Sequence, residues 1–389
     1  MKKTKNSLLT LAKGSCLLGL LSLCSTTPVA GAPSSDGSGE IAIYSEATGT
    51  DVITTADFTH DFDTNGREDT GSFTRAGSDI TLNRNGHYLA IYNSRFNGAP
   101  QAGTEERVEV QSCLNLAGTK LPIGWSQGFI RRQQNHLDAI TTGMAVIEAT
   151  ANDVLQLQSF RTDTTAVGSV TRFQDDTAIQ LVKLDDVNMS YARLSLAANQ
   201  TGPATNGATA KVVYDTTDEL DAGFSYASGD LTLADAGKYL VIANTYMIGY
   251  NNRHGFIQEL TLDGTAISGT RTNIYLRGNQ STVEGAAAIG TIIETTAANQ
   301  VLSVLGELDG TSGITNFIAD RCGLTVIKLP SAAAGTSVID PDFIRLSHTA
   351  NQNINITADL NFNTQIEVDA EFTHSASTSG ITVASGGDY

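Results

Sequence analysis

The final nine residues, Ile381-Thr-Val-Ala-Ser-Gly-Gly-Asp-Tyr389, restart a phrase written twice before, at Ile80 to Tyr88 and at Leu231 to Tyr239. The copies are spaced by about 150 residues, far beyond the roughly 20 to 50 of a solenoid unit, so each is expected to be a domain with its own core. Because the third copy stops mid-phrase, the chain is expected to hold two complete domains and the opening of a third. The reading frame is expected to continue past Tyr389.

The agreement extends through a fixed order of landmarks. Arg193-Leu-Ser195 followed by Ala198-Asn-Gln200 returns as Arg345-Leu-Ser347 followed by Ala350-Asn-Gln352. Next comes an aromatic with an Asx and a Thr: Phe62-Asp-Thr64, Tyr214-Asp-Thr216 and Phe362-Asn-Thr364. An Asp before a Phe follows at Asp69 and Phe73, Asp221 and Phe224, and Asp369 and Phe372, and Gly-x-Tyr closes the shared stretch at Gly86, Gly237 and Gly387. The first two copies run on in parallel to Lys183-Leu184 and Lys328-Leu329. Together these give a leader over 1–32, domains over 40–186 and 187–331, and a partial domain over 338–389.

The local chemistry is that of strands. Tyr239-Leu-Val-Ile-Ala243 and Ile289-Gly-Thr-Ile-Ile293 are rich in β-branched residues and bounded by Gly, Asn, Asp and Thr. Phe256 to Leu262 followed by Asp263-Gly264 predicts a hairpin, since both turn residues accept positive φ. The Ala-rich patches at Ala139 to Ala151 and Glu284 to Ala288 carry interleaved Thr, Gly and Ile, which favours strand over helix. Gly at 37 residues against Pro at 7 suits turns and excludes collagen-like sequence. The expected fold class is all-β, with tandem antiparallel β-sandwiches of jelly-roll type and the last one truncated.

Lys2, Lys3, Lys5 and Lys13, the apolar run Cys16 to Cys24 and the small residues Ala30-Gly-Ala32 read as a secretory signal peptide, too short in its apolar part to span a bilayer. Leu21-Ser-Leu-Cys24 is a poor lipoprotein box, because a large Leu precedes the Cys. Without the leader, 20 basic residues face 41 acidic ones, a net charge of −21, which argues against nucleic acid as a partner. Two readings of that charge stay open, a solubilising exterior and a cation-binding surface. Cys113 and Cys322 fall in different domains at unmatched positions, so buried single thiols are expected rather than a disulfide.

A few residues stand out as candidate ligand sites. Asp61-Phe-Asp-Thr-Asn-Gly66 opens like a calcium loop, with Asp61, Asp63 and Asn65 as alternate ligands, although Ser72 replaces the closing Glu; the competing reading is a polar strand end and turn. Arg107 and Arg253 occupy matching places, as do Arg132 and Arg277, and a planar Arg fork suits either a carboxylate or sugar acid or a brace between strands. Trp125, the only Trp, is either a sugar-stacking platform or a core residue. The metalloprotease His-Glu pair, the Gly-x-Ser-x-Gly elbow, the phosphate loop and the zinc Cys cluster are all missing from the sequence. No Ser, His and Asp set recurs between copies, so the chain is not expected to be an enzyme.

Phe62-Asp-Thr64, Asp69-Thr-Gly-Ser-Phe73, Gly86-His-Tyr88 and Ala151-Asn-Asp-Val-Leu155 resemble the pattern of C1q and tumour-necrosis-factor-like domains. The resemblance covers each of the first two repeats nearly end to end and the opening of the third. Ala90 or Val241 stands where an aromatic usually follows Gly-x-Tyr. The resemblance implies ten-stranded jelly rolls in a secreted, non-catalytic protein that self-associates, as trimers or as a pseudo-trimer of repeats within one chain. It is therefore expected to be structural or adhesive, with binding of a glycan or cell-surface ligand as the alternative.

Overall fold

A computed structural model describes residues 40–47, 51–98, 107–131, 138–162, 170–173, 176–184, 189–250, 253–277, 284–310, 313–330, 344–347, 364–368, 372–374 and 381–383. Among these residues every regular element is a β-strand, and every pairing is antiparallel. None of the described residues forms a helix long and apolar enough to cross a membrane. The expected leader lies outside the described residues.

The first two repeats share one topology. In the first, Gly86–Gly98 is flanked along its length by Asp138–Ala149 and on its other side by Ala178–Lys183 and Val170–Arg172; Ile41–Ser45 and Thr64–Glu68 follow outward. In the second, Gly237–Tyr250 has the same neighbours in Glu284–Thr295, Gly323–Lys328 and Ile314–Phe317, with Ser190–Ser195 and Thr216–Leu220 outward. The facing sheets also correspond, in the order Ser126–Arg131, Arg107–Leu116, Asp153–Arg161, Asp79–Leu82, Phe73–Ala76 and again Thr272–Arg277, Arg253–Leu262, Gln300–Gly310, Asp230–Leu233, Phe224–Ala227. The Ala-rich patches are strands because the long central strands hydrogen-bond them from end to end, which outweighs the helical preference of Ala.

Irregularities repeat as faithfully as strands. A register shift falls between Ile43 and Tyr44, between Arg193 and Leu194, and again between Arg345 and Leu346. The hairpin turn at Asp263 and Gly264 has φ of 50° and 76°, and its counterpart at Ala117 and Gly118 has 49° and 85°. Glycine suits the second turn position because only the first retains a side chain at positive φ. In the third block, Ile344–Ser347 pairs with Thr364–Val368 and Phe372–His374 with Ile381–Val383, as the opening strands of the earlier repeats do. The two full repeats lie in one compact unit, Gly31–Val338, and Ile339–Tyr389 belongs to another.

The cores differ. In the second repeat the inward side chains form one continuous apolar cluster, which runs from Leu231 and Tyr239 through Val212 and Leu196 to Phe317. In the first repeat the corresponding volume holds two apolar clusters, one around Phe62, Tyr88 and Leu157 and one around Phe96, Val108 and Val170. On successive strands the residues between them are polar and buried: His60, Ser94, Ser112, Thr141 and Ser159.

Candidate functional site: the junction between the repeats

Trp125 sits where the first repeat meets the second. Its indole N–H donates to Leu121 O at 2.7 Å, which fixes the ring against its own segment. The ring is 4% exposed and meets Phe160 edge-on at 6.1 Å and Tyr246 of the second repeat edge-on at 6.2 Å. The Arg321 guanidinium lies 4.6 Å from the Trp125 centroid and 4.7 Å from that of Tyr246, a cation over two aromatic rings.

Polar groups close the same contact. Gln111 donates to the Tyr246 hydroxyl and, at 3.0 Å, to Glu284 Oε2. Tyr246 in turn donates to Glu284 Oε2 at 2.5 Å, and Arg321 Nη1 stands 3.3 Å from the same oxygen. Gln127 donates to Glu284 O at 2.7 Å. Burial raises the Tyr246 phenol well above its ordinary value and the Glu284 carboxylate raises it further, while Arg321 opposes both. The phenol is therefore a permanent donor. At Gly323 an added Cβ would come within 1.9 Å of Ile123 Cγ2, so a hydrogen at that position is what lets the repeats approach.

A second contact crosses the same boundary. His87 of the first repeat stacks on Tyr191 of the second, with centroids 3.8 Å apart and planes at 15°, and donates through Nε2 to Glu219 at 2.9 Å. Arg193 joins Glu148 of the first repeat, at 2.7 Å, to Glu219 of its own, at 3.4 Å. Burial works to raise the Glu219 pKa, but hydrogen bonds and charge from His87 and Arg193 outweigh it, and the carboxyl sits below its ordinary value. His87, Glu148 and Glu219 could supply three ligand atoms to a metal ion, but the Arg193 guanidinium already spends its charge on both carboxylates.

The contact is heterologous, one face of the first repeat against a different face of the second. Strand register identifies the positions that correspond on the outer faces. Trp125 and Phe160 have Arg271 and Glu307 as counterparts in the second repeat, and these pair at 2.7 Å; Tyr275, on the strand that follows Arg271, is 57% exposed. Tyr246, Glu284 and Arg321 have Arg95, Asp138 and Asp176 as counterparts in the first. There Arg95 bridges Asp138 at 2.8 Å and Asp176 at 2.7 Å. Asn93 caps Asp176 O at 2.7 Å as Asn244 caps Arg321 O at 2.7 Å, which fixes the correspondence.

The sequence-chosen residues separate on this map. Trp125 is in the junction, where neither face of its ring is open to a sugar. Backbone register pairs Arg107 with Arg131 and Arg253 with Arg277, so the counterpart of Arg277 is Arg131, which corrects the match with Arg132; Arg132 lies outside the described residues. Asp61, Asp63 and Asn65 lead into an extended strand rather than a tight loop; Asp63 accepts from Ala47 N–H at 2.6 Å and Asn65 from Arg75 at 2.7 Å. Cys113 and Cys322 are free and buried, and burial pushes both thiols up to about 12. Sequence reasoning missed Tyr246, Glu284 and Arg321. Their signal was the simultaneous change at three aligned positions that are Arg95, Asp138 and Asp176 in the first copy.

No protein-family model and no curated protein matches the chain. Among solved structures it is similar to murine APRIL, with a TM-score of 0.27 and 11% identity over 36% of this chain and 99% of that one. It is also similar to Eiger TNF from S. frugiperda, with a TM-score of 0.22 and 13% identity over 39% of this chain and 99% of that one. The tandem CBM22 domain of Xyn10C from Paenibacillus barcinonensis aligns with a TM-score of 0.21 and 10% identity over 73% of this chain and 96% of that one.

Proposed function

We propose that this chain is a secreted, non-catalytic structural or adhesive protein in which C1q/TNF-like jelly rolls associate head to tail. The supporting observation is the junction itself, where the Trp125 face of one repeat receives the Tyr246, Glu284 and Arg321 face of the next. The heterologous contact leaves the Arg95 face of the first repeat and the Arg271 face of the second outside it, and repetition of such a contact closes a ring or extends a filament. These two faces differ in chemistry from the pair that forms the junction. Where the junction sets Trp125 against Arg321, the corresponding positions outside it are Arg271 and Asp176, so an ion pair takes the place of a cation over a ring.

On this reading a second copy docks its Arg95, Asp138 and Asp176 face on the Arg271, Glu307 and Tyr275 face of the first. Light scattering across a concentration series, at low and high salt, tests it. A mass that rises with concentration and falls with salt is expected; a strict monomer under all conditions counts against it. Carbohydrate binding is the second reading, favoured by Tyr275, which is 57% exposed on a strand of the second repeat. A glycan array that stays blank with and without calcium removes it.

A further inference from the structure

The polar layer inside the first repeat is a set of charges that the same fold does without one repeat later. Glu46, His60 and Ser159 have 0% exposure and Arg172 has 2%. His60 Nε2 shares a hydrogen with Ser159 Oγ at 2.7 Å, and Ser159 is joined through Ser112 to Thr141, each step 2.7 Å. On its other side His60 Nδ1 lies 3.4 Å from Glu46, which is paired with Arg172, and Arg172 reaches out to the half-exposed Asp51 at 2.5 Å. Phe58 and Phe96 wall the imidazole edge-on at 5.3 and 6.4 Å.

The second repeat supplies an internal control. Backbone bonds match Glu46 N–H to Thr177 O with Leu196 N–H to Cys322 O, and His60 N–H to Leu157 O with Val212 N–H to Val304 O. Strand register matches Arg172, opposite Phe96, with Phe317, opposite Met247, and Ser159, opposite Ser112, with Gly306, opposite Gln258. The four positions are thus Glu, His, Ser and Arg in one repeat and Leu, Val, Gly and Phe in the other. Apolar residues satisfy the fold there, so the charged set costs desolvation that the architecture does not demand.

We propose that Glu46, His60, Ser159 and Arg172 form an acid-sensitive latch, which loosens the first repeat below neutral pH while the second stays closed. Among the described residues, the charged groups around His60 are Glu46 and, beyond it, Arg172 and Asp51, with the buried Arg161 two residues from Ser159 on the same strand; Ser159, Ser112 and Thr141 contribute hydroxyls only. Because Arg172 balances Glu46, the carboxylate does not hold a second proton on the imidazole. Burial holds His60 at about 3, against 6.5 for an exposed imidazole. The unfolded or opened segment therefore binds a proton that the closed one refuses. Stability is complete above about pH 6.5 and is lost as pH falls from there towards 3, by up to about tenfold in the closed-to-open ratio per pH unit. The apolar cluster around Phe96 and Val170, already cut off from the main core by this layer, is the part that separates.

Hydrogen exchange of the whole chain tests the latch, with rates corrected for intrinsic pH dependence. Amides of Asp153–Arg161 are compared with those of Gln300–Gly310 between pH 7 and pH 5. The first strand is expected to lose at least tenfold in protection and the second to keep its own. His60→Gln, which keeps a partner for Ser159 but does not titrate, is expected to abolish the difference. So is the fourfold exchange Glu46→Leu, His60→Val, Ser159→Gly and Arg172→Phe. Equal pH slopes in the two wild-type strands, or a slope that survives His60→Gln, would overturn the proposal. Labelling of Ser159 by a fluorophosphonate at neutral pH would overturn it too, by making the Ser159, His60 and Glu46 array an accessible nucleophile.

Discussion

The Trp125 ring of the first repeat meets the Tyr246 ring of the second edge-on at 6.2 Å, and Arg321 covers both. Two domains joined in sequence are here also joined by side-chain packing. Trp125→Ala is expected to remove about 3–5 kcal/mol from the junction, as for a large aromatic cut from a packed site. Calorimetry is expected to show a single transition in the parent resolving into two.

Gly323→Val has a different signature. The new side chain has no room against Ile123, where even a Cβ would come within 1.9 Å. The expected penalty is about 1–3 kcal/mol of overpacking, relieved by partial separation of the repeats. Ile123→Ala, which removes the Cγ2 that meets the added Cβ, is expected to recover part of it, which a double-mutant cycle measures.

The Glu219 carboxyl, held below its ordinary value by His87 and Arg193, contributes stability at neutral pH. A depressed carboxyl adds stability above its unfolded value, near 4.5, and that stability is lost as pH falls through the folded value. Arg193→Met is expected to cost about 1–3 kcal/mol by leaving Glu219 and Glu148 without their shared cation. Urea titrations at pH 7 and pH 4 are expected to show a smaller difference in the variant than in the parent.

Charge reversal tests the proposed contact between copies. Arg271→Glu is expected to weaken self-association at least tenfold at low salt, since it sets like charge against Asp138 and Asp176. Asp176→Lys in the same chain is expected to restore it, as sedimentation at matched concentrations reads directly.

Strand-rich repeats were legible because the landmark residues are those with fixed structural duties. Gly86 and Gly237 start the long central strands, Phe73 and Phe224 fill the core, and Asp69 and Asp221 accept the backbone N–H of Ile41 and Tyr191 at 2.7 Å. The junction was not legible, because its members come from different sheets of different repeats and follow no periodicity along the chain. Trp125 was singled out for its rarity, but whether it faced a ligand or a neighbour depends on Tyr246, 121 positions away. His60 and Glu46 were passed over because a buried charge looks in sequence like an exposed one.

The fluorescence of Trp125, the only tryptophan, reports the junction most directly. Acrylamide quenching of the whole chain is compared between the parent and Gly323→Val. The account predicts a blue-shifted, weakly quenched emission in the parent that turns red-shifted and several-fold more quenchable in the variant. Emission as exposed as that of a free indole in the parent, or no change on introducing Gly323→Val, would contradict it.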